Sequence, residues 1–153
     1  MSDVAVAEIQ VAPPRRFQLP DFNEHGGWIV DRLRQAHKHL DERAAFAWLR
    51  SLLNSNEHLF LYHGKAVCVA ELVRGATLAP KPVIVERFVW CRDRKDKEAQ
   101  RQALSFYEDM RRWAKGFGAD TIIVGEASDV DIEAIKGVFG GRSFSRVQNY
   151  VKV

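Results

Sequence analysis

The sequence predicts an α/β protein: a single mixed sheet with helices on both faces. Three observations carry that expectation. Apolar spacing is helical over residues 22–53, strand-like over 58–90 and helical again from about 99. The run "PVIVERFVW" (82–90) is apolar on both sides, as a central strand is. A long amphipathic helix follows it and leads into a further apolar strand, so the pattern is strand–helix–strand. Hydrophobic residues make up 46% of the 153 and charged residues 28%, an ordinary globular balance. No apolar run reaches membrane-spanning length.

The elements follow in order. Residues 1–20 hold Pro13, Pro14 and Pro20 with weak periodicity and read as an N-terminal arm, leaving 21–153 as the domain. "DFNE" (21–24) has capping-box spacing with Asp21 as the cap, and the helix after it places Ile29, Leu33, Ala36 and Leu40 on one face. Asp41 caps a second helix, "ERAAFAWLRSLLN", whose Phe46, Trp48, Leu49, Leu52 and Leu53 cover much of its girth and predict burial. "HLFLY" and "AVCVAELV" are strands joined by a tight turn at His63-Gly64-Lys65. "RGATLAPK" is a loop before the central strand. The helix from about Ala99 lines up Ala103, Phe106, Tyr107, Met110, Trp113, Ala114 and Phe117, and Gly116 or Gly118 ends it. "DTIIVG" is a short strand, and "SDVD" (128–131) opens a short helix with capping-box spacing. Gly140-Gly141 stops that helix, and "SFSRVQNYVKV" closes as a strand.

Charge and composition narrow the function. A net charge of +3 and a pI near 9.0 suit an anionic ligand but are too mild to argue for nucleic acid. Basic–aromatic runs such as "RRFQ" and "RRW" add only a weak signal. Cys68 and Cys91 fall inside strands and read as buried reduced thiols. His37 and His39 lie on different helix faces, and no metal-cysteine, Walker or Ser-His-Asp pattern is present, so no metal is expected. The first twenty residues lack the basic start and long apolar stretch of a signal peptide, which predicts a cytoplasmic protein.

This order of elements resembles the GNAT acyltransferases, most closely over 82–153. "RRWAKGFGADTIIVGEAS" looks like that family's run of Trp-Ala-Lys, glycine and apolar strand, and "GGRSFSRVQNYVKV" like its closing segment. The resemblance implies acetyl-CoA as cofactor and an amine as acceptor. It implies that the central strand, here Phe88, Val89, Trp90 and Cys91, pairs with pantetheine through its backbone. The pyrophosphate would meet the turn of Arg92, Arg94, Lys95, Lys97, Ala99 and Arg101. Glu86, on the central strand, matches the location of the family's base; its alternation groups it with Ile84 and Phe88. Pairing of Glu86 with Arg87 or Arg146 is the competing reading.

The turn departs from the family. Arg92 to Glu98 are seven consecutive charged residues without a glycine. Aligned at Arg94–Ala99, Lys97 stands where the central glycine belongs; aligned at Glu98–Ala103, Arg101 does. Glycine lets backbone N–H groups approach a phosphate, and arginine or lysine would have to replace them by direct charge pairing. The family's acidic tyrosine also has no match: the region reads "AIKGVFGG", with Phe139. Tyr107 and Tyr150 read as core.

A looser resemblance is to GNAT-like internal virion or assembly proteins of short-tailed bacteriophages, carried by "VWCRDRKDK", "FYEDM" and "IIVGEASDVDIEAIKGVF". Two functions therefore stand. One is an acyl-CoA-dependent N-acetyltransferase with a degenerate pyrophosphate loop. The other is a non-catalytic phage virion or assembly protein that acts by protein binding through the arm, in host cytoplasm or virion.

Overall fold

A computed structural model describes residues 14–74, 81–125, 128–140 and the backbone of 150–152. Most of the expected arm (1–13), most of the loop after residue 74 (75–80) and most of the closing segment (141–149) lie outside the described residues.

The elements are β1 (Arg15–Arg16), α1 (Phe22–Ala36), α2 (Glu42–Leu52), β2 (His58–His63), β3 (Ala66–Val73), β4 (Val83–Cys91), α3 (Lys97–Gly116), β5 (Thr121–Ile123), α4 (Ile132–Val138) and β6 (Tyr150–Lys152). They form one six-stranded sheet in sequence order. Neighbours are antiparallel except β4 and β5, which run parallel. That parallel pair is joined through α3, the connection a strand–helix–strand pattern requires.

Helices cover both faces, as expected. On one face Phe60, Val67, Val69, Phe88 and Trp90 pack against Ile29, Val30 and Leu33 of α1 and Ala45, Leu49 and Leu52 of α2. On the other, Leu61, Cys68, Ala70, Ile84, Val89 and Cys91 pack against Ala103, Phe106, Tyr107 and Met110 of α3 and Ile135 of α4. Burying side chains of this size supplies roughly 1.5–3 kcal/mol each before chain entropy is counted. Cys68 and Cys91 are free and buried. Among the described residues no helix is long and apolar enough to cross a membrane.

The chain joins the sheet before residue 21. Arg15 and Arg16 pair with Tyr62 and Leu61, and Phe17 is buried with its ring stacked on Phe60 at 4.2 Å. Pro14 and Pro20 bracket a strand too short for its own periodicity to register. Asp41 caps α2 as expected, accepting from the Ala44 N–H at 2.7 Å. Asp21 does not cap α1 with its side chain. Its carboxylate is held by Arg15 at 2.7 and 2.8 Å and by the Gln18 N–H at 2.8 Å. The guanidinium outcompetes a helix N–H for the same oxygens. Ser128 and Asp131 likewise do not form the expected cap of α4. The β2–β3 turn holds Gly64 at φ 58°, where a side chain would be strained and would meet Gln102.

One register change decides the site. Ala70 opposes Glu86, but Val69 opposes Phe88, so Arg87 is an extra residue in β4. This bulge corrects the expected grouping of Glu86 with Phe88. Glu86 stays with Ile84 on the α3 side, while Phe88 joins the core under α1 and α2.

Candidate functional site

The parallel strands β4 and β5 touch only briefly: Ile84 pairs with Ile122 and Val85 with Ile123. β4 runs on to Cys91 while β5 ends at Ile123, and in the splay so left Asp129, after β5, bonds the edge of β4. Glu86 stands at the bottom of this splay and is buried. Its Oε2 accepts the Tyr107 hydroxyl at 2.9 Å, and Tyr107 lies 2.8 Å from Ser128 Oγ. Because the Val130 N–H donates to Ser128 Oγ, and Tyr107 donates to Glu86, the Ser128 hydroxyl donates to Tyr107. The chain of donors thus runs from Val130 through Ser128 and Tyr107 to Glu86.

Among the described residues Oε1 of Glu86 has no hydrogen-bond partner. Arg87, one of its expected partners, pairs with Glu71 instead, and the other, Arg146, lies outside the described residues. Burial therefore dominates and pushes the Glu86 carboxyl up to about 8, partly opposed by the Tyr107 hydroxyl and the Gly125 backbone amide. Burial, then the charge on Glu86, also holds the Tyr107 phenol well above its usual value. At neutral pH both groups keep their protons. Glu86 also borders a groove of about 1140 Å³ whose walls include Leu40, Trp48, Glu71, Phe88 and Trp90.

The mouth of the splay is built differently. Asp129 donates its N–H to Val89 O at 2.9 Å, and its Oδ2 accepts the Cys91 N–H at 2.9 Å. Arg32 of α1 forks onto the same carboxylate at 2.8 and 2.9 Å, and Arg94 Nε lies 3.3 Å away. The Arg32 guanidinium also lies 4.8 Å over the Trp90 ring. Burial, followed by the charge of Asp129, pushes the Cys91 thiol up to about 12. Cys91 is thus no nucleophile at neutral pH.

The charged turn continues from there. The Arg92 N–H bonds Lys65 O at 2.9 Å, and the Lys95 N–H bonds Asp93 at 2.9 Å. α3 begins at Lys97 under a cap from Asp96, whose Oδ1 accepts the N–H groups of Glu98 at 2.9 Å and Ala99 at 3.4 Å. Lys65 clamps Asp96 at 2.9 Å and Glu98 at 3.1 Å, and this hydrogen bond holds the Asp96 carboxyl below its usual range. Arg92, Arg94, Lys95, Lys97 and Arg101 are exposed, whereas Ala99 is buried.

The structure thus brings Val89, Cys91 and Arg94 together around Asp129. Phe88 and Trp90 stack on each other at 3.9 Å within the other core. Lys97 and Arg101 make no part of the Asp129 cluster. Sequence reasoning missed Asp129, Arg32 and Ser128. It placed Tyr107 in the core, where its ring does lie, but gave no role to its hydroxyl. The Tyr107 hydroxyl had one available signal: a buried phenol needs a polar partner, and Glu86 is a lone acid in an apolar strand. Phe139 is buried in the apolar core beside α3.

No family model matches the chain, and no curated protein matches it. Its fold is similar to that of an acetyltransferase from Vibrio fischeri seen in a crystal structure. The TM-score is 0.50 at 14% identity, covering 78% of this chain and 98% of that one. The fold is GNAT-like; at this identity the likeness speaks to architecture and not to chemistry.

Proposed function

We propose that this chain is an acyltransferase-like GNAT-fold protein with a degenerate pyrophosphate loop that acts by binding a protein partner, as a bacteriophage virion or assembly component. The observation that carries this reading is Asp129, which takes both Val89 O and the Cys91 N–H on the β4 edge. These are backbone groups that the GNAT resemblance assigns to pantetheine. The helix N-terminus is likewise engaged, because Asp96 caps it and Lys65 ties Asp96 down. So arranged, the residues do not fit acyl-CoA: backbone donors already satisfied within the chain offer a ligand nothing further. The partner contact is assigned to the part of the expected 1–20 arm that precedes β1, residues 1–13, since Arg15 to Phe17 belong to the sheet.

A second reading is favoured by Glu86. A carboxyl that titrates near 8 beside a groove is ionised above that pH and there takes a proton from an amine, as an N-acetyltransferase base would. Acetyl-CoA would then be held along Phe88–Cys91 and the 92–101 turn.

Calorimetric titration with acetyl-CoA separates the two. The proposed function expects no binding heat at millimolar ligand. Micromolar binding, weakened when Arg94 and Lys95 become Glu, would replace it with the acetyltransferase reading. Deleting residues 1–13 should leave the melting temperature unchanged while abolishing partner assembly.

A further inference from the structure

Between the turn Leu19–Asp21, the start of α1 and the outer side of α2 lies a groove of about 450 Å³, lined by Leu19, Pro20, Phe22, Asn23, Phe46 and Arg50. It shares no residue with the splay or with the groove beside Glu86. We infer that this groove takes residues 1–13 of a second copy of the chain, so that two copies exchange arms and close a dimer. The partner so named rests on the protein-binding reading above and deepens it.

The apolar part of the groove is held ready. Leu19 is 55% exposed, and among the described residues it is the large hydrophobic side chain left in water. Single exposed leucines are ordinary. This one edges a groove whose other walls include Pro20, Phe22 and Phe46. The turn that carries it is braced on both sides. Phe17 before it is buried and stacked on Phe60, and Asp21 after it is held by Arg15 and by the Gln18 N–H. Pro20 fixes its own φ. Covering Leu19 therefore removes apolar surface from water without first having to order the turn.

Charge selects the occupant. The polar lining is Asn23 and Arg50, and no lining residue is acidic. Arg50 is exposed, as is Arg43 on the same face of α2, with Phe46 between them. Among the described residues no carboxylate pairs with Arg50. An apolar segment with acidic side chains fits such a groove. Residues 1–13, "MSDVAVAEIQVAP", are that kind of segment: Val4, Val6, Ile9 and Val11 accompany Asp3 and Glu8, with no lysine or arginine. The whole chain holds 23 basic residues against 20 acidic ones, so a stretch with acids alone stands out.

Direction favours another copy over the chain's own arm. Arg15 lies opposite Tyr62 and Arg16 opposite Leu61, and the Phe17 N–H bonds Phe60 O. Leu19 follows beyond the Phe60 end of this pairing, so the chain before Arg15 leaves at the other end, toward His63. To fill its own groove the arm would have to reverse at Pro13-Pro14, and a residue that precedes proline favours extended backbone. Thirteen extended residues span at most about 45 Å, enough to cross to a neighbour. Two copies that each give and receive an arm form a closed pair.

Sedimentation equilibrium of the full chain tests this. Wild type should show a monomer–dimer equilibrium. One short segment per copy buries little area, so the dimer is weak and a melting temperature taken in dilute solution is that of the monomer. Leu19→Asp and Arg50→Glu, both at exposed side chains, should each weaken dimerisation at least about tenfold and leave that melting temperature unchanged. Asp3→Lys with Glu8→Lys should weaken it by as much. Adding Arg50→Glu to that arm variant should restore the dimer, because opposite charges face each other again.

A chain that stays monomeric up to about 1 mM overturns the proposal, whether its groove is empty or holds its own arm. A dimer indifferent to Leu19→Asp overturns it, since the copies then join elsewhere. A dimer indifferent to the arm substitutions, or one that the added Arg50→Glu does not restore, overturns the arm as occupant. The protein-binding reading is judged separately, by the acetyl-CoA titration of wild type, so either can fail alone.

Discussion

Glu86 and Asp129 are both nearly inaccessible carboxyl groups beside β4, yet they are treated in opposite ways. Among the described residues Glu86 has a hydroxyl partner, an amide nearby, an unpaired oxygen and no cation. Asp129 has two guanidinium groups and a main-chain donor. Burial without a counter-charge among the described residues makes the first keep its proton, whereas the second is held by guanidinium groups. The difference assigns the ends of the splay: a protonated floor, and a mouth that the chain closes on itself.

Breaking the mouth should have the largest effect. Arg32→Leu strips the forked partner from a buried carboxylate and should cost about 3 kcal/mol in denaturant unfolding, the usual loss when one member of a buried pair goes. Arg94→Leu, at a well-exposed side chain, should cost less than about 1 kcal/mol. Equal losses would mean that the two arginines share the carboxylate evenly, against the geometry described.

The floor should show itself through pH. Glu86 titrates near 8 in the fold against an ordinary value of 4.5, so over that window the folded state holds a proton that the unfolded chain has released. Stability from this group is complete below 4.5, falls by about 1 kcal/mol per pH unit between the two values and is gone above 8. Glu86→Gln should flatten the slope while keeping an acceptor for Tyr107. Tyr107→Phe should steepen the consequence: without the hydroxyl that favours the charged form, the Glu86 midpoint should move higher still.

The smallest effect belongs to the turn. Asp96→Ala removes the α3 cap and should lower the melting temperature by about 3 °C. A loss comparable to that of Arg32→Leu would mean that the turn anchors the domain rather than decorating it.

Much of the architecture could be read from the chain because its signals are local. The run around Ile84–Trp90, the Asp41 cap and the Gly64 turn each depend on a few neighbouring residues, and the fold matches those readings. The site was legible only in part. Glu86 stood out as an acid in an apolar strand, but the bulge at Arg87 is visible only against the register of β3. Asp129 looked like part of a helix start. Its partner Arg32 lies 97 residues away, and no spacing rule links positions so far apart. Capping motifs failed at Asp21 and Ser128 for a related reason: distant or stronger partners claimed the same oxygens.

The contrast between a floor without a counter-charge and a charge-paired mouth is tested most directly by carbon-detected NMR titration of the Glu86 side-chain carboxyl in the intact chain. The account predicts a Glu86 midpoint near 8, moving up in Tyr107→Phe. A Glu86 midpoint in the ordinary carboxylate range, close to 4.5, would contradict it.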